Sequence, residues 1–103
     1  HDGVAPAIVP ADSMILLSDS DFTNLQRDAL RIIQTPQCFG IDVLRQAHAS
    51  GKVDTDEIGL VKQALPDAKL TFVQGAIETM KITQSRDLEI AALYQRSMNY
   101  IIK

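Results

Sequence analysis

Three side chains stand out for what they could hold. Arg27 carries a planar guanidinium that can grip a phosphate through two parallel hydrogen bonds, although on a hairpin it can equally be a solvated charge. Thr55 falls where Asp54-Thr55-Asp56-Glu57 opens a helical pattern. A helix N-terminus offers free N–H groups and the positive end of the dipole, so a phosphate or hydroxyl is well received there. The same threonine can be a plain N-cap. Asp56 and Glu57 would oppose a phosphate beside them yet favour the helix start, which leaves them as structural residues or hydroxyl acceptors. Lys81 sits in Met80-Lys81-Ile82-Thr83, where strand alternation turns it away from both apolar neighbours. From its neighbours alone it is a lysine on a wet face. His48 has no second ligand at metal spacing, and Cys38, between Gln37 and Phe39, reads as a packed thiol rather than a nucleophile.

The elements that must position these residues follow from periodicity. Ala7 to Leu17 is rich in Ile, Val and Leu and suits extended structure, with Pro6 and Pro10 arguing against helix. Ser18-Asp19-Ser20-Asp21 is a turn cluster, and Phe22–Leu25 and Leu30–Ile33 are two more extended pieces. A hairpin-like excursion over 11–34, closed by Pro36, is expected. From Ile41 the period changes to that of a helix, which Gly51 stops. A second helix runs from the Asp54 cluster to Pro66. Lys69–Val73 alternates as a strand, Met80–Thr83 is a second short extended piece, and Thr83 or Ser85 is expected to cap a terminal helix reaching toward Ile101. The grammar is that of a mixed sheet covered by helices.

Composition narrows the classes. At 103 residues the chain is one domain at most. Its 46% hydrophobic and 22% charged residues are those of an ordinary globular protein. Ten Lys and Arg against thirteen Asp and Glu give a net charge of -3, which disfavours a non-specific nucleic-acid binder. No apolar run approaches the length of a membrane span, no signal peptide is visible, and the single cysteine excludes an internal disulfide.

Four ordered strings carry more. His1-Asp2-Gly3, then Arg27 followed by Gln34-Thr35-Pro36-Gln37-x-Phe39, then Thr55-Asp56-Glu57, then Gly75-x-x-x-x-Met80-Lys81-Ile82-Thr83 with Asp87-Leu88 together resemble the second half of the methylerythritol phosphate cytidylyltransferase family. Ribitol-phosphate cytidylyltransferases share these strings. The resemblance implies a Rossmann-like α/β sandwich of nucleotide-diphospho-sugar transferase type, of which residues 1–103 form the C-terminal part. In it, 12–34 would be a protruding β-arm that reaches a dimer partner, and 35–103 the α/β layer with its terminal helix. The implied activity transfers CMP from CTP to 2-C-methyl-D-erythritol 4-phosphate with Mg²⁺, releasing pyrophosphate, in non-mevalonate isoprenoid synthesis. Ribitol 5-phosphate as acceptor, or a non-catalytic dimerisation module, are the alternatives. By position the resemblance makes Arg27, Thr35, Thr55 and Lys81 acceptor-binding residues, with Lys81 and Arg27 stabilising charge during transfer. Asp2, at what would be a strand end, is suited to Mg²⁺ or ribose contact, while His1 packs or hydrogen-bonds. The implied partners are CTP, a polyol phosphate and a second copy of the chain, with no nucleic acid or membrane. The implied location is the cytoplasm, or a plastid in a plant or alga.

The match has departures. Ala5 stands where the family carries an arginine, Thr79 where an asparagine is usual, and Leu16 where the arm has a lysine. The family's Gly-rich, triphosphate-binding loop has no counterpart in these residues. Finally, a strand ending at His1-Asp2 and another opening at Ala7 would be parallel neighbours needing a helical crossover, for which Gly3–Pro6 is too short. The sequence is therefore expected to lack that crossover as well as the nucleotide half.

Overall fold

The computed structural model describes residues 1–102, with side chains through Met98. Strand β1 (Gly3–Ile8) is the spine of the main sheet. One flank is taken antiparallel by two short strands, β4 (Ile32–Ile33) beside Ala7 and Ile8, and β5 (Cys38–Phe39) beside Gly3 and Val4. Gln34 N–H still bonds Pro6 O, so Thr35, Pro36 and Gln37 together span the single residue Ala5. This is a bulge of two extra residues, a device that re-aims side chains at a sheet edge. The other flank is taken parallel by β6 (Leu70–Gln74), in register from Gly3↔Leu70 to Ala7↔Gln74. The mixed sheet expected from sequence is present.

Helix α1 (Ile41–Ala49) ends where expected: Ser50 N–H bonds back to Gln46 and Ala47, and Gly51 follows at φ +76. That left-handed conformation is cheap only without a side chain. Helix α2 (Glu57–Ala64) begins at Asp56, whose carboxylate accepts from Gly59 N–H. Its residues Ile58, Leu60 and Val61 form the core with Ala47, Ala5 and Ala7, and Phe39, Val43 and Leu70 pack around them. Small residues on the buried face of β1 let neighbours approach closely. At Gly3 a Cβ would lie 2.5 Å from Phe39 Cδ1 and 2.8 Å from Leu70 Cδ2.

The hairpin of β2 (Met14–Leu17) and β3 (Phe22–Leu25) stands apart from this sheet and pairs only with itself, from Met14↔Leu25 to Leu17↔Phe22. All four residues of β2 are apolar and exposed, so alternation puts apolar groups on both faces. Together the described parts expose 8228 Å², where a compact protein of 11.3 kDa exposes about 5,700 Å². The radius of gyration is 16.9 Å against about 13 Å for a compact chain of this length.

Several expectations are corrected. Asp2 and Ala7 do not lie on separate strands: Gly3–Ile8 is one strand, and Asp2 N–H already bonds Lys69 O at its head. The arm is shorter than 12–34, because Arg27–Ala29 forms a 3₁₀ turn and Ile32–Ile33 join the main sheet. Met80–Thr83 forms no strand; the segment has no ladder partner and returns as irregular chain. Helix α3 (Ser85–Ile102) is capped from within. Asp87 accepts from Thr83 N–H, Thr83 Oγ1–H and Gln84 N–H, so Thr83 donates rather than caps. Cys38 is exposed rather than packed, because it pairs with Val4 on the face of the sheet opposite the buried Gly3, Ala5 and Ala7, while its neighbour Phe39 turns to the core.

Candidate functional site

The carboxyl ends of β1 and β6, the parallel pair, are where ligands gather in open α/β sheets. A cleft of about 450 Å³ opens there. Ile8, Val9, Ile32, Ile33 and Ile77 make its apolar wall, and Asp12, Gln34, Thr35, Thr79 and Lys81 contribute polar groups. Few polar groups on an apolar wall is the usual make-up of a small-molecule site.

Two of the sequence-selected residues meet in this cleft. Thr35 arrives on the bulge after β4, and Lys81 on the irregular segment after β6. Both are exposed at its mouth. Arg27 reaches the same rim from the 3₁₀ turn that follows the arm: its guanidinium donates to the carbonyl of Ala11, itself a lining residue. Thr55 and Asp2 are not part of the lining. Thr55 N–H and Oγ1–H both donate to Asp54 Oδ1, at 2.6 and 3.2 Å. The start of α2 is largely occupied too, with Ile58 N–H on Gln37 Oε1 at 3.0 Å and Gly59 N–H on Asp56. The N–H groups of Thr55, Ile58 and Gly59 are therefore in use, and the N-cap is Asp56. Backbone and side-chain hydrogen bonds from Thr55 and Gln63 hold the Asp54 carboxyl below its ordinary value.

Asp2 lies at the other end of β1, about 20 Å from the cleft at ~3.3 Å per residue. Its Oδ2 accepts from Lys69 N–H at 2.7 Å, and its carbonyl from Gly40 N–H. Among the described residues no group of three His, Cys, Asp or Glu side chains is gathered. Mg²⁺ is commonly held by one or two carboxylates together with substrate phosphates and water, and Asp2 offers one such carboxylate, engaged here by Lys69 N–H. His48 is a surface residue whose Nε2 meets Glu57 Oε2 at 2.8 Å, tying α1 to α2. His1 is exposed.

The model of the family described as IspD, 2-C-methyl-D-erythritol 4-phosphate cytidylyltransferase, matches residues 1–97. The chain belongs to this family. The cytidylyltransferase of Saccharopolyspora erythraea is 43% identical over 94 residues, covering 84% of this chain and 41% of that protein. That of Thermotoga neapolitana is 32% identical over 95 residues, covering 92% and 42%. The crystal structure of the Thermus thermophilus cytidylyltransferase superposes with a TM-score of 0.75 at 31% identity, covering 92% of this chain and 48% of that one. The 4-diphosphocytidyl-2C-methyl-D-erythritol synthase of Anaerococcus prevotii gives 0.79 at 27% identity, covering 92% and 44%. The chain thus spans less than half the length of these cytidylyltransferase relatives. Asp12 and Gln34, which also line the cleft, are not among the residues expected from sequence. Asp12 has a signal in sequence, an acid just before the apolar β2, and Gln34 stands in the Gln34-Thr35-Pro36-Gln37 string beside Thr35.

Proposed function

We propose that this chain supplies the acceptor half of a cytidylyltransferase that moves CMP from CTP to 2-C-methyl-D-erythritol 4-phosphate. The observation that carries the reading is the convergence of Thr35 and Lys81, 46 positions apart in sequence, on one cleft. An ammonium and a hydroxyl above an apolar wall suit a phosphate attached to a short polyol. Lys81 would bind the acceptor phosphate and offset the negative charge that accumulates as its oxygen attacks the α-phosphorus of CTP and pyrophosphate leaves. Thr35 would donate to the same phosphate, and Asp12 would accept from a polyol hydroxyl. Arg27, at the rim, has donors to spare beyond the one on Ala11. Neither a Mg²⁺ site nor a role for Asp2 or Thr55 enters this reading. The exposed apolar arm supports a homodimer, with β2–β3 covered by a second copy. A cytoplasmic location belongs to the same reading; among the described residues no helix is long and apolar enough to cross a membrane.

The test is transfer by the full-length protein that carries this chain. Pyrophosphate release should require 2-C-methyl-D-erythritol 4-phosphate and proceed poorly with ribitol 5-phosphate. Lys81→Ala should lower kcat/KM roughly a hundredfold, the ~3 kcal/mol that one such charge contact supplies. Near wild-type kinetics would return Lys81 to a solvated surface role.

A further inference from the structure

Gln34 is the buried polar side chain of the described core region, only 9% exposed. Its environment is not one of chance contacts. Nε2 donates to Ala76 O at 2.7 Å while Oε1 accepts from Ala76 N–H at 3.3 Å, so one carboxamide closes on both backbone groups of one residue. Gln34 lies on the β4 side of β1 and Ala76 just past the end of β6, on the opposite side. The side chain therefore reaches across the end of β1 and joins its two flanking strands. The main chain of Gln34 is held as well: its N–H bonds Pro6 O at 2.8 Å, and Gln37 Nε2 approaches its carbonyl at 3.4 Å. Opposite the clasp stands Gly75, where a Cβ would lie 2.1 Å from Gln34 Oε1. The clasp and the glycine fit each other.

The chemistry of the cleft depends on this joint. Gly75 N–H makes the last bond of β6 to β1, on Ala7 O. Beyond it the chain is irregular until α3, and that stretch delivers Ile77, Thr79 and Lys81 to the cleft. Thr35, the other polar group of the site, is the residue after Gln34. We propose that Gln34 is a positioning residue for the acceptor site, its carboxamide clasping Ala76 so that the segment bearing Lys81 departs from β6 on the course that brings Lys81 and Thr35 to one cleft. This rests on the acceptor reading above, and the two can fail separately.

The full-length protein that carries this chain is compared with its Gln34→Leu variant, which keeps the bulk and removes both hydrogen bonds, and with its Gly75→Ala variant, which keeps Gln34 but pushes its carboxamide aside. Hydrogen exchange is followed by peptide, and binding of 2-C-methyl-D-erythritol 4-phosphate by titration. Both variants should exchange roughly tenfold faster over 76–82 while α1 and α2 keep wild-type protection, and both should bind the polyol phosphate several-fold more weakly. A uniform rise that includes α1 and α2 would make Gln34 a general structural pin and overturn the proposal. Unchanged exchange over 76–82, or unchanged affinity, would overturn it as well. A wild-type protein that binds no polyol phosphate would defeat the acceptor reading and the positioning role with it, whereas the exchange pattern would still decide whether the clasp exists.

Discussion

Gly3→Ala is a one-carbon change at the meeting point of β1, β5 and β6. The added Cβ would stand 2.5 and 2.8 Å from two atoms of the Phe39 ring and 2.8 Å from Leu70 Cδ2. Unstrained carbon contacts lie near 3.5–4.0 Å, so a shift of roughly 1 Å is needed. Neither neighbour can give freely, because Phe39 and Leu70 both pack on the Ala47–Leu60–Val61 cluster. Overpacking by one methyl typically costs about 1–3 kcal/mol. Against that, alanine lowers the entropy of the unfolded chain and returns about 0.4–1 kcal/mol. The net expectation is a loss of about 1–2 kcal/mol. Urea unfolding followed by far-UV circular dichroism measures it: with a slope of roughly 1 kcal/mol/M for so small a core, the midpoint should fall by about 1–2 M. Phe39→Leu in the same chain should recover part of the loss. A Gly3→Ala chain as stable as wild type would refute the close packing of β1 against Phe39.

Asp56→Ala should destabilise by about 1 kcal/mol through loss of the α2 cap, read as a lower urea midpoint with an unchanged slope. Asp87 should make the start of α3 sensitive to acid. Hydrogen bonds from Thr83 and Gln84 lower its pKa below the ordinary 3.8, so the stabilisation is complete above that value and is lost as pH falls through the lower folded value. Amide exchange at the start of α3 should therefore accelerate below about pH 4 in wild type, after correction for intrinsic rates, and should be fast at neutral pH in Asp87→Asn. If the arm docks on a second copy so that Arg27 serves the partner's cleft, mixing Arg27→Ala and Lys81→Ala subunits of the full-length protein should restore part of the transfer activity. Verified heterodimers with no recovery would keep Arg27 with its own chain's Ala11.

The helices and β6 were legible because their signals are local: the change to a 3.6 period at Ile41, the stop at Gly51, the acidic opening before Glu57 and the alternation from Lys69. Strand β1 was not. One proline and three small residues hide a strand whose partners come from 32–39 and 70–74, so only long-range pairing defines it. Met80–Thr83 alternates like a strand yet finds no partner, which shows that alternation needs a ladder to become structure. For the site, Thr35 and Lys81 were found by their strings, and the structure brings them together. Thr55 looked free from sequence because its engagement by Asp54 depends on a turn geometry that spacing does not encode. Gln34 was invisible as a clasp because its partner lies 42 residues away.

The two-faced apolar character of β2 has a cost outside the active form. Met-Ile-Leu-Leu is uncharged, lacks proline and sits on an unpaired strand edge, the makings of a segment that recruits like segments into cross-β stacks. Its gatekeepers are acidic and close by: Asp12 before it, Asp19 and Asp21 at the hairpin tip. Their mutual repulsion is a brake that salt screens over about 8 Å at physiological ionic strength. Solubility of the chain should then be a race between ordered coverage of the arm and disordered stacking of it, and added salt would favour the stack.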